Sequence, residues 1–248
     1  MARSLPPEDA ARLAGRDVVA VERRGKYQLL YLTGELVLVV HFRMAGDWYA
    51  GPAGDAPRHA RAVLEFTDRT AVFLVDTRAF ATLTVRDRGA EGLPALGPDA
   101  ASPSLDGGTM ARRLAGRRGP IKPVLLDQAV LAGLGNIYAA EALWGARISP
   151  YTTASALPIA DLDRLVEAIR ATIDVARHDP RRYSRGEALG RLAVYGRAGE
   201  PCVRCGVAVE RAVQAGRSTY FCPGCQTDPT GPPEPARVVN PKLRGVRL

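Results

Sequence analysis

The stretch P-I-K-P-V-L-L-D-Q-A-V-L-A-G-L-G-N-I-Y-A-A-E-A-L, from Pro120 to Leu143, decides how this chain is read. It divides into two helices joined by a tight turn. The first, from Lys122 to Gln128, starts behind a proline and carries Val124, Leu125 and Leu126 on an apolar face. Ala132-Gly133-Leu134-Gly135 breaks the pattern, because glycine supplies the backbone angles of a sharp turn. Asn136 stands at an N-cap position, and the second helix runs from Ile137 to Trp144. A helix N-terminus offers free N–H groups and partial positive charge, which suit a phosphate. Spacing alone fits a plain helical hairpin equally well.

The wording L-L-D-Q-x-x-x-A-G-L-G-N-I-Y-A-x-E-A-L is more specific. It resembles the helix–two-turn–helix signature of the formamidopyrimidine-DNA glycosylase and endonuclease VIII family. That resemblance implies a protein of base-excision repair that binds duplex DNA carrying an oxidised base or an abasic site. It also implies that Lys122 and Asn136 contact phosphate.

Composition points the same way without requiring it. The 248 residues carry 34 Lys plus Arg against 26 Asp plus Glu, a formal net charge of +8 and a pI of about 9.7. Such basicity favours nucleic acid over acidic small molecules, although a high-GC genome, which inflates arginine and alanine, produces the same bias. No apolar run is long enough to span a bilayer. The N-terminal M-A-R-S-L-P-P-E-D lacks the apolar core of a signal peptide. A bacterial cytoplasm, close to the nucleoid, is the expected location, and the expected state is a monomer.

Outward from the hairpin, Ser4 to Gly15 reads as a short helix. Val18–Val21, Tyr27–Leu32, Leu36–His41, Ala62–Phe66, Ala71–Val75 and Ala81–Val85 read as strands separated by turns, the pattern of a sandwich or barrel. Gly51 to Arg58 reads as a Pro/Gly loop. A basic helix is expected from Met110 to Arg118. Ile159–His178 places Leu162, Leu165, Val166, Ile169 and Ile173 on one face of a long helix. Arg181, Arg182 and Arg185 form a basic cluster. The expected fold class is α+β multidomain: a β-sandwich at residues 1–88, a linker at 89–108, a helix–two-turn–helix domain at 109–193, a β-hairpin zinc finger at 194–228 and a disordered tail at 229–248.

The zinc assignment rests on Cys202-x-x-Cys205 and Cys222-x-x-Cys225, with sixteen residues between the pairs. Two such knuckles fit a closed tetrahedral Zn2+ site, one per chain and structural rather than catalytic. Val207–Val213 and Ser218–Phe221 form the expected hairpin, with Arg217 exposed near its tip. The segment Y-G-R-x-G-E-P-C-x-x-C-G…G-R-S-T-Y-F-C-P-x-C-Q is similar to the same family's zinc finger, and the resemblance implies that Arg217 touches phosphate.

R-R-G-K-Y-Q-L-L-Y-L and V-H-F-R-M-A-G resemble strands of the family's sandwich. The resemblance assigns Met44, Arg78 and Phe80 to the gap left by an extruded nucleotide. An apolar wedge and an aromatic ring restore part of the lost stacking. Read from residue type alone, Met44 and Phe80 suit a core better than an exposed wedge. V-D-T-R-A-F departs from the family's D-P-R-R-F at Thr77 and Ala79. His41 and His59 match family positions and read as structural hydrogen-bonders.

Family members open with Pro-Glu, whose terminal amine attacks the sugar and whose carboxylate moves a proton. No such opening stands in this chain, and Met1 to Gly15 aligns inside the family pattern. The expectation is therefore little or no base excision by the 248 residues, and slow nicking of abasic DNA at most. Lys26, matching a lysine of the family's pocket, is the remaining candidate amine, with a phosphate contact or a strand-edge lysine as its plainer reading. The short connection at 178–194 leaves oxidised purine and oxidised pyrimidine both open. Two alternatives stand beside the enzyme: a DNA-binding paralogue without the Pro-Glu centre, and a zinc-ribbon nucleic-acid-binding protein of another class. An upstream start is a third possibility.

Overall fold

A computed structural model describes residues 5–178 and 192–227. The Arg181/Arg182/Arg185 cluster, most of the 178–194 connection and the C-terminal tail lie outside the described residues. Two compact units divide near Pro94.

The first unit opens with α1 (Pro7–Leu13), which Pro6 and Pro7 start and Gly15, at φ +68, follows. Seven strands come next: β1 (Val18–Arg24), β2 (Tyr27–Leu32), β3 (Leu36–His41), β4 (Gly46–Pro52), β5 (Ala60–Glu65), β6 (Thr70–Asp76) and β7 (Thr82–Asp87). They form two antiparallel sheets, ordered β1-β2-β3-β7 and β4-β6-β5. Leu32, Leu36, Leu38, Val40 and Val85 of the first sheet pack with Trp48 and Leu64 of the second. The Trp48 indole N–H also donates to Gln28 Oε1 at 2.6 Å, tying sheet to sheet. β3 is buried along nearly its whole length because Leu29, Tyr31, Val37 and Val39 fill the other face.

β4 was not legible as a strand. Its last two residues, Gly51 and Pro52, open the expected Pro/Gly loop, yet they pair with Ala71 and Thr70 of β6. The strand forms because it is a sheet edge, where Pro52 removes no ladder bond that the sheet needs.

The second unit contains α2 (Gly107–Leu114), α3 (Ile121–Leu125), α4 (Asn136–Gly145), α5 (Ile159–His178) and the hairpin β8 (Glu210–Gln214) and β9 (Arg217–Phe221). α4 and α5 pack on α2 and α3 around Met110, Leu114, Ile121, Leu125, Leu134 and Leu165. The helical boundaries move from the sequence expectation for identifiable reasons. α2 begins earlier because Asp106 caps it, accepting from Thr109 N at 2.6 Å. It stops at Leu114, and Gly116 follows at φ +72.

α3 is short, starting behind Pro120 and ending at Leu125 rather than Gln128. Gln128 instead closes the turn. Its Nε2 donates to Leu126 O and Leu134 O, both at 3.1 Å, and its Oε1 accepts from Gly133 N at 2.9 Å. Gly133 has φ +91, which requires glycine. The N-cap of α4 is Gly135, and Asn136 is the first helical residue, with its side chain released from capping.

Candidate nucleic-acid interface

In the second unit the zinc hairpin meets the two-turn at a buried lysine. Lys122 is 1% exposed. Its ammonium donates to Asn136 Oδ1 at 2.7 Å, Thr219 Oγ1 at 2.9 Å and Ser218 O at 3.1 Å. All three N–H donors are thus used, one on α4 and two on β9. Asn136 Nδ2 donates to the same Ser218 carbonyl at 3.0 Å and approaches the Tyr195 hydroxyl at 3.4 Å. Burial drives the Lys122 pKa down to about 8, with the neighbouring Arg217 charge acting in the same direction.

Arg217 is exposed at the first position of β9, opposite Gln214 across the hairpin turn. Gln214 Nε2 anchors that turn to Pro150 O at 3.2 Å, and its Oε1 accepts from Thr219 Oγ1 at 3.0 Å. Glu141 ties α4 to the segment entering the zinc module. Its carboxylate accepts the N–H groups of Ala193, Val194 and Tyr195 at 2.7 to 3.0 Å. Thr219, Tyr195 and Glu141 were not singled out from sequence. All three lie inside the quoted motifs, but the inward turn of Thr219 toward Lys122 becomes visible only when the β9 register is known.

The four cysteine sulfurs lie within 4.8 Å of one another, and all four thiols are free of disulfides. Cys202 to Cys225 spans 3.9 Å and Cys205 to Cys222 spans 3.4 Å. Zn–S bonds of about 2.3 Å in a tetrahedron require sulfurs about 3.8 Å apart, so the donor set fits one Zn2+ with no open position. The site is structural. Trp144 of α4 donates its indole N–H to Cys202 Sγ at 3.4 Å, and Arg204 stacks on the Trp144 ring at 3.8 Å. The metal module is thereby fixed to the helix that carries Asn136.

In the first unit the structure brings Met44, Arg78 and Phe80 together on an exposed edge. Met44 is 66% and Phe80 52% exposed, which rules out a core role for either. The Arg78 guanidinium lies 5.0 Å from the Phe80 ring centre and 3.2 Å from Met44 Sδ. The loop is held by Asp76, fully buried. Its carboxylate accepts from Arg78 N at 2.9 Å and from Phe80 N and Ala81 N at 2.7 Å each. Burial would raise this carboxyl's pKa, but the backbone donors outweigh it and hold it below the usual range. The Met44 loop closes by Gly46 N to Phe42 O at 3.0 Å. A Cβ at Gly46 would stand 2.7 Å from that oxygen, so the closure requires glycine.

Lys26 lines a cavity of about 330 Å³ with Arg23, Tyr27, His41, Phe42 and Arg43. His41 Nδ1 accepts from Arg43 N at 2.9 Å, and its ring meets Tyr27 edge-on. Burial, then the charges of Arg43 and Lys26, lower the His41 pKa and favour its neutral form.

Comparison with known proteins identifies the assembly. The formamidopyrimidine-DNA glycosylase N-terminal domain matches residues 1–83, the H2TH domain of the same glycosylases matches 96–181, and the zinc finger found in FPG and IleRS matches 199–227. A formamidopyrimidine-DNA glycosylase of Chloroflexus aurantiacus is 42% identical over 89% of this chain and 84% of its own. One from Symbiobacterium thermophilum is 39% identical over 97% of this chain and 83% of its own. The MutM (Fpg) crystal structure from Thermus thermophilus superposes with a TM-score of 0.78 at 36% identity, covering 93% of this chain and 89% of that one. Lactococcus lactis Fpg, solved with DNA containing an abasic site, gives 0.77 at 31% identity over 88% and 85%. A sandwich, a glycine-turned helical hairpin and a four-cysteine finger, in that order and at these identities, mean that this chain belongs to the formamidopyrimidine-DNA glycosylase family.

Proposed function

We propose that the chain is a DNA-repair glycosylase that engages duplex DNA at a damaged base or an abasic site. One observation carries the reading. A chain similar to these glycosylases over almost its whole length joins the two-turn asparagine and the zinc hairpin at one buried lysine. Neither a zinc-ribbon protein of another class nor a non-enzymatic paralogue is favoured by that combination. The working modules we assign are residues 1–88, 109–193 and 194–228, joined by a linker at 89–108. No helix among the described residues is long and apolar enough to cross a membrane. Bacterial relatives support action in the cytoplasm, at the nucleoid.

Asn136 and Arg217 are assigned to the phosphates flanking the lesion. Lys122 supports both, because its ammonium fixes the amide of Asn136 and the backbone of Ser218 next to Arg217. Met44, Arg78 and Phe80 are assigned to the space an extruded nucleotide leaves. Their mutual contacts and exposure support this, since an apolar and aromatic edge in water is costly unless something stacks on it.

Lys26 is the amine we assign to the lyase step. A neutral lysine adds to the C1′ aldehyde of an abasic site and loses water to give an iminium. That iminium acidifies the C2′ proton and lets the 3′ phosphate leave. The test is borohydride reduction during incubation with abasic duplex, alongside release of an oxidised base. A covalent adduct lost in Lys26→Ala supports the lyase assignment. No adduct and no base release at any enzyme concentration would overturn the enzymatic reading.

A further inference from the structure

Helix α2 turns Gly107, Met110 and Leu114 inward and leaves Arg112 and Arg113 exposed. After its end, Arg117 and Arg118 follow on exposed chain that runs to Pro120. Arg112 is held by Thr109 Oγ1 at 2.9 Å and Arg117 by Asp127 at 3.1 Å. Among the described residues, Arg113 and Arg118 have no side-chain hydrogen bond or ion pair. No large exposed hydrophobic residue lies between 107 and 120, so the patch offers charge without an apolar anchor. That composition suits a polyanion rather than a protein hot spot or a bilayer.

Backbone bonds connect the patch to the Lys122 junction. Arg117 O and Gly119 O accept from Ser155 N and Ala154 N, and Ile121 N donates to Thr152 O. Lys122 N then reaches Pro150 O, the same carbonyl that anchors Gln214 of the hairpin. Residues 117–122 thus run alongside 150–155, with the arginines at one end and the Asn136–Arg217 region at the other. Arg118 precedes Lys122 by four residues, the last two of them in α3, so the chain between them spans at most about 13 Å. At about 3.4 Å per step, that is at most about four base pairs of duplex.

We propose that Arg113 and Arg118 form a second phosphate-binding patch, which grips duplex DNA flanking the lesion a few base pairs from the nucleotide at Asn136. The inference rests on the DNA-binding reading above. Among the described residues neither guanidinium is engaged, so contact with phosphate breaks no bond to them. Their contribution is sequence-independent and appears only on DNA long enough to reach them.

The test compares full-length protein with an Arg113→Ala/Arg118→Ala variant on two duplexes carrying the same abasic analogue. The short duplex stops about two base pairs beyond the lesion on the side of the patch, and the long duplex runs on for three turns. Affinity is measured across a salt series. Each phosphate contact contributes about 0.9 to the salt slope, so the variant should lose about 2 from the slope on the long duplex. On the short duplex it should match the parent. An unchanged slope on the long duplex overturns the proposal. Equal losses on both lengths also overturn it, because the arginines would then belong to the lesion footprint itself. Failure of the parent to bind either duplex would instead refute the DNA-binding reading. Retained zinc in the variant shows that the module is intact.

Discussion

Lys122→Met isolates the junction between two-turn and hairpin. Methionine keeps most of the side-chain length and removes the ammonium. Two energies then oppose each other. A buried lysine whose pKa falls from 10.5 to about 8 costs the fold about 3 kcal/mol at neutral pH, a cost that methionine does not incur. Against this, Asn136 Oδ1 loses its ammonium partner. Ser218 O keeps the Asn136 amide, and Thr219 Oγ1 keeps Gln214. One or two weakened acceptors cost about 1–3 kcal/mol. The folded state should therefore change by no more than about 2 kcal/mol in either direction, and zinc should be retained. DNA binding has no such compensation. Asn136 loses the ammonium that holds its amide oxygen, and a positive charge leaves the phosphate site. A loss of about 2 kcal/mol corresponds to about thirtyfold in Kd. The assay is fluorescence anisotropy with a labelled abasic duplex, paired with thermal unfolding and zinc analysis. Binding within twofold of the parent, with zinc content unchanged, would refute the positioning argument.

The same lysine sets a pH dependence. Phosphate nearby raises its pKa in the complex, so binding takes up a proton, and affinity should be full below about pH 8 and fall as pH rises through it. A titration of Kd with pH should show this decline in the parent and not in Lys122→Met. Cys202→Ser should lose the metal and loosen the hairpin, because ligand binding supplies the folding energy of such a module. Elemental analysis checks the first effect, and weaker DNA binding through Arg217 should accompany it. Asp76→Asn sets an amide NH2 against the N–H groups of Phe80 and Ala81, which should cost about 2 kcal/mol in thermal unfolding and release the loop. Met44→Ala should weaken binding to abasic duplex more than to intact duplex. Equal losses on the two substrates would count against a role in filling the gap.

Much of this organisation was legible because local chemistry and tertiary context agree. The paired C-x-x-C knuckles, the glycine turn at Gly133 and the periodicity of Leu162 to Ile169 each specify one local answer. β2 and β3 begin and end where their β-branched and aromatic runs do. The failures came where long-range contacts decide. β4 exists because β6 pairs with it, not because its own sequence favours a strand. Asn136 looks like an N-cap by residue type, yet Gly135 takes that place and the asparagine turns to a hairpin over eighty residues away. The resemblance gives Lys122 a phosphate contact, and its burial against β9 is something no local pattern announces. Met44 and Phe80 read as core residues by residue type alone, and it was the resemblance that set them at the gap; the Gly46-closed and Asp76-held loops leave both exposed.

The most direct measurement is the ratio of affinities of the 248-residue protein for two duplexes that differ only in one nucleotide, a stable abasic analogue in one and an intact pair in the other. Salt, pH and zinc are held fixed. Extrusion is cheapest where the base is already missing, so the exposed Met44–Arg78–Phe80 edge should give tighter binding to the abasic duplex by about tenfold or more. Equal affinity for both would contradict the central claim that this chain recognises damaged DNA.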